Sequence, residues 1–441
     1  MSWQQTVSIV VFVVTMAAII TGKVNKAVAT VFAAAILIDI GVVNVHTAFD
    51  AIDKEVLFLM VSMMLLVGIL SKTGFFQWIA LSLIKFSSGE PVRIMILIAL
   101  GTAALSAFLD NVTTVLLISP VVLMTCEGLG VPAIPFLIVE VFAANVGGTA
   151  TLIGDPPNMI IGSAAKLSFN DFIANTAPVV IIILLVGLVA IRFLFKRKFH
   201  VPREKRAAIK SIEPKSAIVA PLALEKSLIV FALVIVGFLI HDKLHITPAV
   251  VALTGASLLI IICRNVKFEE VVNEIDWATI FFLVGLFMVV SGMEHAGVMH
   301  GAAKVLFRLS GGKPLGAMMS ILWFSGAIVG VLTSASVAAM VPIVKELVAF
   351  VASHSGIPQA LLWKPFFWSL SLGACLGGNS TIFGTTATIV MIGFIERTLN
   401  VKISFVKFMK YGVPTVLVSL AISSIYIILR YAIPLANYSP H

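Results

Sequence analysis

The chain has 441 residues, of which 60% are hydrophobic and 12% charged, and its formal net charge is +9. Soluble domains carry about 25% charged residues, so this composition excludes a soluble protein and predicts an integral membrane protein built of helices. In such a protein the excess of Lys and Arg belongs to loops on the cytoplasmic side, so the positive charge does not indicate a nucleic-acid partner.

The first half of the chain combines full spans with two interrupted segments. Residues 93–126 form two apolar arms of about 15 residues around a polar tip at Asp110, and each arm reaches only about 22 Å against a bilayer core of about 30 Å. This length predicts a re-entrant helical hairpin. Residues 132–165 are broken at Gly147-Gly148 and again by two prolines, which predicts a discontinuous helix, the usual host of substrate sites in secondary transporters. Uninterrupted apolar runs predict full spans at 5–22, 26–44, 55–72 and 172–195.

A basic linker follows, and after it the same order of segments returns. The linker covers residues 196–226, and its basic residues are Lys196, Arg197, Lys198, Arg203, Lys205, Arg206, Lys210 and Lys215. The second half has predicted spans at 226–241, 246–263, 276–293 and 409–432, a second hairpin at 314–351 and a second broken helix at 362–396.

Residue matches between the halves indicate an internal duplication. Asp53 and Gly74 match Asp276 and Gly297 at one offset, and the hairpin tips and helix breaks align at similar offsets. The sequence therefore predicts an all-α protein of two repeats, each with five transmembrane helices, one of them broken, plus a re-entrant hairpin. Because an odd number of crossings reverses the chain, the repeats are predicted to be inverted. They cover residues 1–195 and 227–441.

The distribution of Lys and Arg predicts how the chain is oriented in the membrane. Most basic residues fall in loops on the side of the linker, so 196–226 is predicted to face the cytoplasm and both termini the outer side. The first hairpin would then enter from the cytoplasm and the second from outside, so that tips and breaks meet near the midplane. The predicted location is a bacterial inner membrane.

Asp110 and Asp155 are the strongest functional candidates. Placing an ionised Asp at the bilayer centre costs about 2.5–3.5 kcal/mol on insertion scales, so we expect each to have a role. A carboxyl group in a cavity of low dielectric can hold a proton and yield it to a competing cation or at the opposite face, which is what proton coupling requires. Asp155 precedes two prolines, so capping of the following half-helix is an equally good explanation, and it is compatible with facing the site.

The other candidates offer hydroxyl, amide and backbone oxygens to a substrate or ion. They are Asn111, Thr113, Thr114, Gly147, Gly148, Thr149, Thr151 and Asn158 in the first half, and Thr333, Ser334, Ser336, Gly378, Asn379, Ser380 and Thr381 in the second. We expect about half of the hydroxyls to bond back to their own helices. The set contains no Arg or Lys, which argues against a multiply charged anion and favours a small cation or a small neutral molecule. No cofactor or resident metal ion is predicted.

The tip Ser-Ala-Phe-Leu-Asp-Asn-Val-Thr-Thr at 106–114, together with Gly-Gly-Thr-Ala-Thr-Leu-Ile-Gly-Asp-Pro-Pro-Asn at 147–158, resembles the ion-transporter superfamily. The resemblance is strongest to its arsenite-efflux and sodium/proton antiporter branch (ArsB/NhaD-like), which includes the animal melanosomal P protein. It implies a transport domain of hairpins and broken helices that moves against a scaffold, often in a homodimer, and in the arsenite branch sometimes with a soluble ATPase subunit. P-like relatives tend to repeat Asp-Asn in the second hairpin, whereas this chain has Leu332-Thr333, so the protonatable site is expected on one side only.

These features together predict a proton-coupled antiporter that exports arsenite or antimonite by alternating access. Arsenite at neutral pH is an uncharged tri-hydroxide, which suits a site of amides and hydroxyls with one or two carboxylates. A sodium/proton antiporter is the alternative, and a dicarboxylate symporter ranks third for want of cations. An intramembrane aspartyl protease is disfavoured because its usual Gly-x-Gly-Asp motif has Leu152 in place of the first glycine, and no enzymatic activity is predicted.

Overall fold

In the computed structural model, the described residues are 2–22, 24–196, 198–199, 201–263 and 267–436. Within these ranges the chain forms helices and no strand, so the predicted all-α class is confirmed. Nine helices in this part of the chain are long and apolar enough to cross a membrane. Arg197 of the linker and the last residues of the second predicted repeat lie outside the described residues.

The first half consists of short and long helices in the predicted order. They are α1 (Trp3–Ile20), α2 (Lys26–Asp39), α3 (Val45–Asp50), α4 (Lys54–Ser71), α5 (Phe75–Phe86), α6 (Pro91–Ser106), α7 (Asn111–Leu129), α8 (Ile134–Gly148), α9 (Pro156–Ala165), α10 (Phe169–Asn175) and α11 (Ala177–Phe195). The first hairpin is therefore α6 and α7, and the first discontinuous helix is α8 and α9.

The linker carries one helix and a 3₁₀ turn, and the second half repeats the order of the first. The elements are α12 (Arg203–Lys210), a 3₁₀ turn (Pro214–Ala217), α13 (Pro221–Leu244), α14 (Pro248–Ile262), α15 (Phe268–Val272), α16 (Trp277–His295), α17 (Val298–Leu309), α18 (Pro314–Val331), a 3₁₀ turn (Ser334–Ser336), α19 (Val337–Ser355), α20 (Gln359–Gly377), a 3₁₀ turn (Gly378–Ser380), α21 (Thr386–Leu399), α22 (Phe405–Ile427), a π-helical turn (Ile428–Ala432) and α23 (Ile433–Ala436). The second hairpin is α18 and α19, and the second discontinuous helix is α20 and α21.

The matched residues of the two halves have the same structural roles. Asp53 caps α4 by accepting a hydrogen bond from the backbone N–H of Val56 (3.1 Å), and Asp276 caps α16 in the same way (3.0 Å). Gly74 and Gly297, which precede α5 and α17, have φ of +83° and +77°. An L residue with a side chain rarely adopts this φ, so glycine at both positions is a backbone requirement. These correspondences support the duplication that the sequence predicts.

Helices of each half pack against helices of the other half in a symmetric pattern. Helix α2 packs on α16, and α14 packs on α4. After the breaks, α9 packs on α19 and α20 of the second half, and α21 packs on α7 and α8 of the first. This exchange brings both breaks and both hairpin tips into one central region.

One arm of the first hairpin is close to the predicted length of about 15 residues, and the other arm is longer. Helix α6 has 16 residues, α7 has 19, α18 has 18 and α19 has 19. At 1.5 Å per residue, α7 and α19 are each about 28 Å long, close to a bilayer core. The predicted arm length therefore holds for α6, whereas α7 continues past residue 126. The re-entrant path, the inverted orientation and the division at 196–226 stay predictions.

Candidate functional site

The tip of the first hairpin, between α6 and α7, is held by hydrogen bonds among its own residues. Asp110 is the N-cap of α7, and its carboxylate accepts a hydrogen bond from the backbone N–H of Thr113 (2.8 Å). The Ser106 hydroxyl donates to the side-chain oxygen of Asn111, and the Thr114 hydroxyl donates to the Asp110 carbonyl (3.0 Å). One carboxylate and one amide are therefore fixed at this tip.

The break between α8 and α9 packs directly on that tip. The Thr151 hydroxyl donates to the carbonyl of Ala107. Gly147 and Gly148 end α8, and a Cβ on Gly148 would overlap the side-chain oxygen of Asn111. A larger residue at Gly148 would separate the tip from the break, so the glycine that the sequence analysis selected is needed for this close approach.

The second half repeats the threonine contact of the first and has a backbone contact of its own. The Thr381 hydroxyl donates to the Gly330 carbonyl (2.5 Å), as Thr151 does in the first half. The backbone N–H of Ser334 donates to the Gly384 carbonyl (2.9 Å), which joins the second tip to the second break. The hydroxyls that bond back to their own helix or turn are Thr114, Thr149, Ser336 and Ser380. These side chains are used locally, as expected for part of the set.

Asp155 lies at the N-cap position of α9, but its side chain makes no capping hydrogen bond. The residue is 2% exposed, and one carboxylate oxygen has no hydrogen-bond partner in the described part of the chain. Its ionisable neighbours are the Cys375 thiol and the Asp110 carboxyl group. Neither carboxyl group forms an ion pair with a Lys or Arg among the described residues. The capping explanation is therefore not supported, and the carboxyl group is available for a proton or a ligand.

Asn158 connects the first break to the second half. Its amide nitrogen donates to the carbonyls of Thr151 (2.9 Å) and Thr149 (3.2 Å). Its oxygen accepts hydrogen bonds from the Ser371 hydroxyl (2.7 Å) and the Cys375 thiol (3.3 Å) of α20. The predicted site residue thus satisfies carbonyls that the break would leave without partners.

Asn145, which the sequence analysis missed, links α8 to the second break. Its amide nitrogen donates to the side-chain oxygen of Asn379 (2.8 Å) and to the Thr385 hydroxyl (3.2 Å). Asn145 and its partners are all buried. Its position two residues before the first glycine pair was the one local signal that could have identified it.

The two halves differ in the side chains that stand at matching positions of the breaks. In the second half, the hydroxyl of Thr385 pairs with the amide of Asn145. At the matching place in the first half, the carboxyl group of Asp155 neighbours the thiol of Cys375. The ionisable carboxyl group is therefore at the first break and the neutral hydroxyl at the second, and each neighbours a side chain of the other half.

Lys26 corrects the expectation that the site has no cation. It begins α2, and its ammonium group donates to the hydroxyls of Thr279 (2.9 Å) and Thr386 (3.3 Å). Thr386 is the first residue of α21, directly after the second break. A cavity of about 50 Å³ lies between Lys26, Thr386 and Thr333 of the second tip. A lysine at the start of an apolar segment looks like an interfacial charge, and no local pattern indicates that it contacts a residue more than 300 positions away.

Comparison with known proteins gives consistent matches along the chain. The family model described as "CitMHS: Citrate transporter" matches residues 16–373. The chain is 40% identical to the "46 kDa membrane protein" of Mycobacterium leprae over 432 residues, covering 97% of this chain and 99% of that protein. It is 29% identical to the human "P protein" over 462 residues, covering 87% of this chain and 54% of that protein.

A solved structure supports the fold alone. The crystal structure of the Alcanivorax borkumensis YdaH transporter, described as having an unusual topology, has a TM-score of 0.58 at 12% identity. The match covers 88% of this chain and 87% of that one.

These matches confirm the superfamily and the relation to the P protein, while the arsenite-efflux and sodium/proton antiporter branch stays a prediction. A transporter family also agrees with the expectation that the chain is not an enzyme. The chain is a multi-pass membrane transporter and belongs to the CitMHS citrate transporter family.

Proposed function

We propose that this transporter is proton-coupled and binds its proton at Asp155 and Asp110. The observation that carries the proposal is the buried carboxyl group of Asp155, which has one oxygen without a partner and lies in a helix break. A buried carboxylate without a cation is unfavourable, so the proton and a bound cargo are alternative ways to compensate it. Competition between the proton and the cargo for this carboxyl group couples their movement across the membrane.

For the cargo, we propose arsenite or antimonite, exported against protons. The amides of Asn145 and Asn158 and the thiol of Cys375 converge where the two breaks meet. Amide and hydroxyl groups suit a neutral oxyacid, because they donate and accept hydrogen bonds without requiring a charge. Sodium is less well served, because the carbonyls of Thr149 and Thr151 already accept hydrogen bonds from Asn158.

Lys26 favours a second candidate, a carboxylate anion. Its ammonium group borders the cavity beside Thr333 and Thr386, and each hydroxyl there could share an anionic oxygen with it. The family's description as citrate transporters agrees with this candidate. A dicarboxylate ranked third on sequence grounds for want of a cation, and Lys26 removes that objection.

The test is a flux assay on purified protein in proteoliposomes with an imposed pH gradient and an internal pH-sensitive dye. Arsenite, sodium and citrate are added separately. Arsenite-evoked collapse of the gradient that is lost in Asp155→Asn would support the proposal. Asp155 makes no capping bond, so this variant is expected to fold normally.

Asp53→Asn is the matched control for Asp110→Asn, because Asp53 caps its helix in the same way but lies outside the site. Asn caps a helix about as well as Asp, so both variants should fold, and only Asp110→Asn should lose proton movement. If citrate evokes proton movement and Lys26→Gln abolishes it, the cargo is a carboxylate anion and not arsenite. Sodium-evoked flux with arsenite silent would make the protein a cation exchanger. No proton movement with any of these solutes would overturn the coupling proposal.

A further inference from the structure

Glu140 is a buried acid that lies outside the site described above. It is 0% exposed on α8, and one of its carboxylate oxygens has no hydrogen-bond partner within the described ranges. Its other oxygen lies 3.0 Å from the hydroxyl oxygen of Ser119 on α7. Met391 of α21 also lies next to Ser119, with its sulfur 3.7 Å from the Ser119 hydroxyl oxygen. An acid buried at a meeting of three helices requires compensation.

The hydrogen bonds around Ser119 indicate how Glu140 is compensated. The Ser119 hydroxyl oxygen lies 2.6 Å from the carbonyl of Val115 and 3.0 Å from Glu140. A hydroxyl has one hydrogen, and a carbonyl can only accept, so the shorter contact takes the serine hydrogen. The contact with Glu140 is then a hydrogen bond only if the proton is on the glutamic acid.

Among the described residues, no nearby charge offers another form of compensation. Cys126 on α7 is the titratable side chain that faces Glu140. The charged residues of the other helices packed on α8 make no ion pair with Glu140 in the described part of the chain. They are Arg93, Arg192, Lys364, Glu396 and Arg397.

Glu140 also stands partway between the linker and the site. At 1.5 Å per residue it lies about 9 Å along α8 from the first residue, Ile134, and about 8 Å from Asn145. The start of α8 is covered by the linker, because the ring of Phe136 lies 5.5 Å from that of Phe199. A proton moving between the linker side and the helix breaks would thus pass the depth of Glu140.

We propose that Glu140 is a proton carrier that loads and unloads the Asp155 site from the linker side of the protein. This proposal rests on the proton coupling proposed above. It adds to Asp155 and Asp110 an ionisable group at an intermediate depth that carries a bound proton. Glu140 relays protons and does not contact the cargo, because cargo binding is assigned to the breaks.

Infrared difference spectra of the purified full-length protein test the bound proton without any cargo. At neutral pH, the wild type should show the carbonyl stretch of a protonated carboxyl group that Glu140→Gln removes. Glu127→Gln, an exposed acid near the end of α7, should leave it unchanged. Ser119→Ala makes only a small change in volume and should shift the band, because it removes the acceptor. An unshifted band in Ser119→Ala, or no band lost in Glu140→Gln, would overturn the assignment.

Flux measurements in proteoliposomes test the relay, with arsenite as the probe. Glu140→Gln should lose gradient-driven arsenite uptake and keep arsenite/arsenite exchange at equal pH, because exchange requires no net proton movement. Full gradient-driven uptake in this variant, or loss of exchange as well, would overturn the relay. If wild-type protein moves neither arsenite nor protons, the proposed function fails, whereas the infrared result still decides whether Glu140 holds a proton.

Discussion

Replacing Asn158 by Ala should destabilise the protein more than any single surface change. The side chain makes three short hydrogen bonds, to the carbonyls of Thr151 (2.9 Å) and Thr149 (3.2 Å) and from the hydroxyl of Ser371 (2.7 Å). Side-chain hydrogen bonds between membrane helices average about 0.6 kcal/mol and reach about 1.7 kcal/mol. Three of them therefore contribute about 2–5 kcal/mol to the free energy of unfolding.

The measurement is thermal unfolding of purified wild type and Asn158→Ala in the same detergent. Asn170→Ala is the matched control, because Asn170 also donates from its amide to a carbonyl, that of Leu239 (2.8 Å), but at an exposed position. An exposed change of this kind is expected to stay within about 0.5 kcal/mol. If Asn158→Ala unfolds at the temperature of Asn170→Ala, the break is not held together by this amide.

A double-mutant cycle separates the hydrogen bond from general packing. Among the described residues, the Ser371 hydroxyl bonds to Asn158 alone. Ser371→Ala should therefore cost about 0.6–1.7 kcal/mol in the wild type and close to nothing when Asn158 is already Ala. If Ser371→Ala lowers the free energy of unfolding equally in the wild type and in Asn158→Ala, its effect comes from the small cavity that the missing hydroxyl leaves, not from the hydrogen bond.

Two further predictions concern the fold. Gly377→Ala should lower the unfolding temperature, because its Cβ would overlap the backbone of Gly326, whereas Gly187→Ala meets no atom and should behave as wild type in the same scan. Ser211→Cys in the linker should resist a membrane-impermeant maleimide added outside cells, while Ser353→Cys at the base of the second hairpin should react. The native cysteines are buried and give little background, and the reverse labelling pattern would invert the predicted orientation.

Local sequence signals predicted most of the fold. Asp53 and Gly74 could be matched to Asp276 and Gly297 because a capping carboxylate and a left-handed glycine are properties of a few neighbouring residues. The last turns of the hairpin helices were missed for a related reason. Polar residues beyond 126 and 351 look like helix ends in a hydropathy pattern, although the backbone continues as a helix.

The site was predicted where it depends on breaks and missed where it depends on distant contacts. Asp110, Gly148 and Asn158 lie in a visibly polar, broken stretch, so their central position followed from their surroundings. Lys26 and Ser371 lie in apolar helices, and their roles come from partners more than 200 residues away. A single sequence carries no record of such pairings, so those residues could be found only in the folded chain.

The duplicated backbone and the unequal side chains have a common consequence for coupling. Thr151 and Thr381 make the same hydrogen bond at the two breaks, so the two halves are built alike at this contact. They differ in chemistry, because Asp155 in the first break can ionise whereas Thr385 at the matching position cannot. In the proposed mechanism the proton is bound by Asp155 and Asp110, which both belong to the first half. The anion candidate belongs to the second break, where Lys26 of the first half contacts Thr386. Exchanging the side chains of Asp155 and Thr385 should therefore move the ionisable group to the second break without changing the fold.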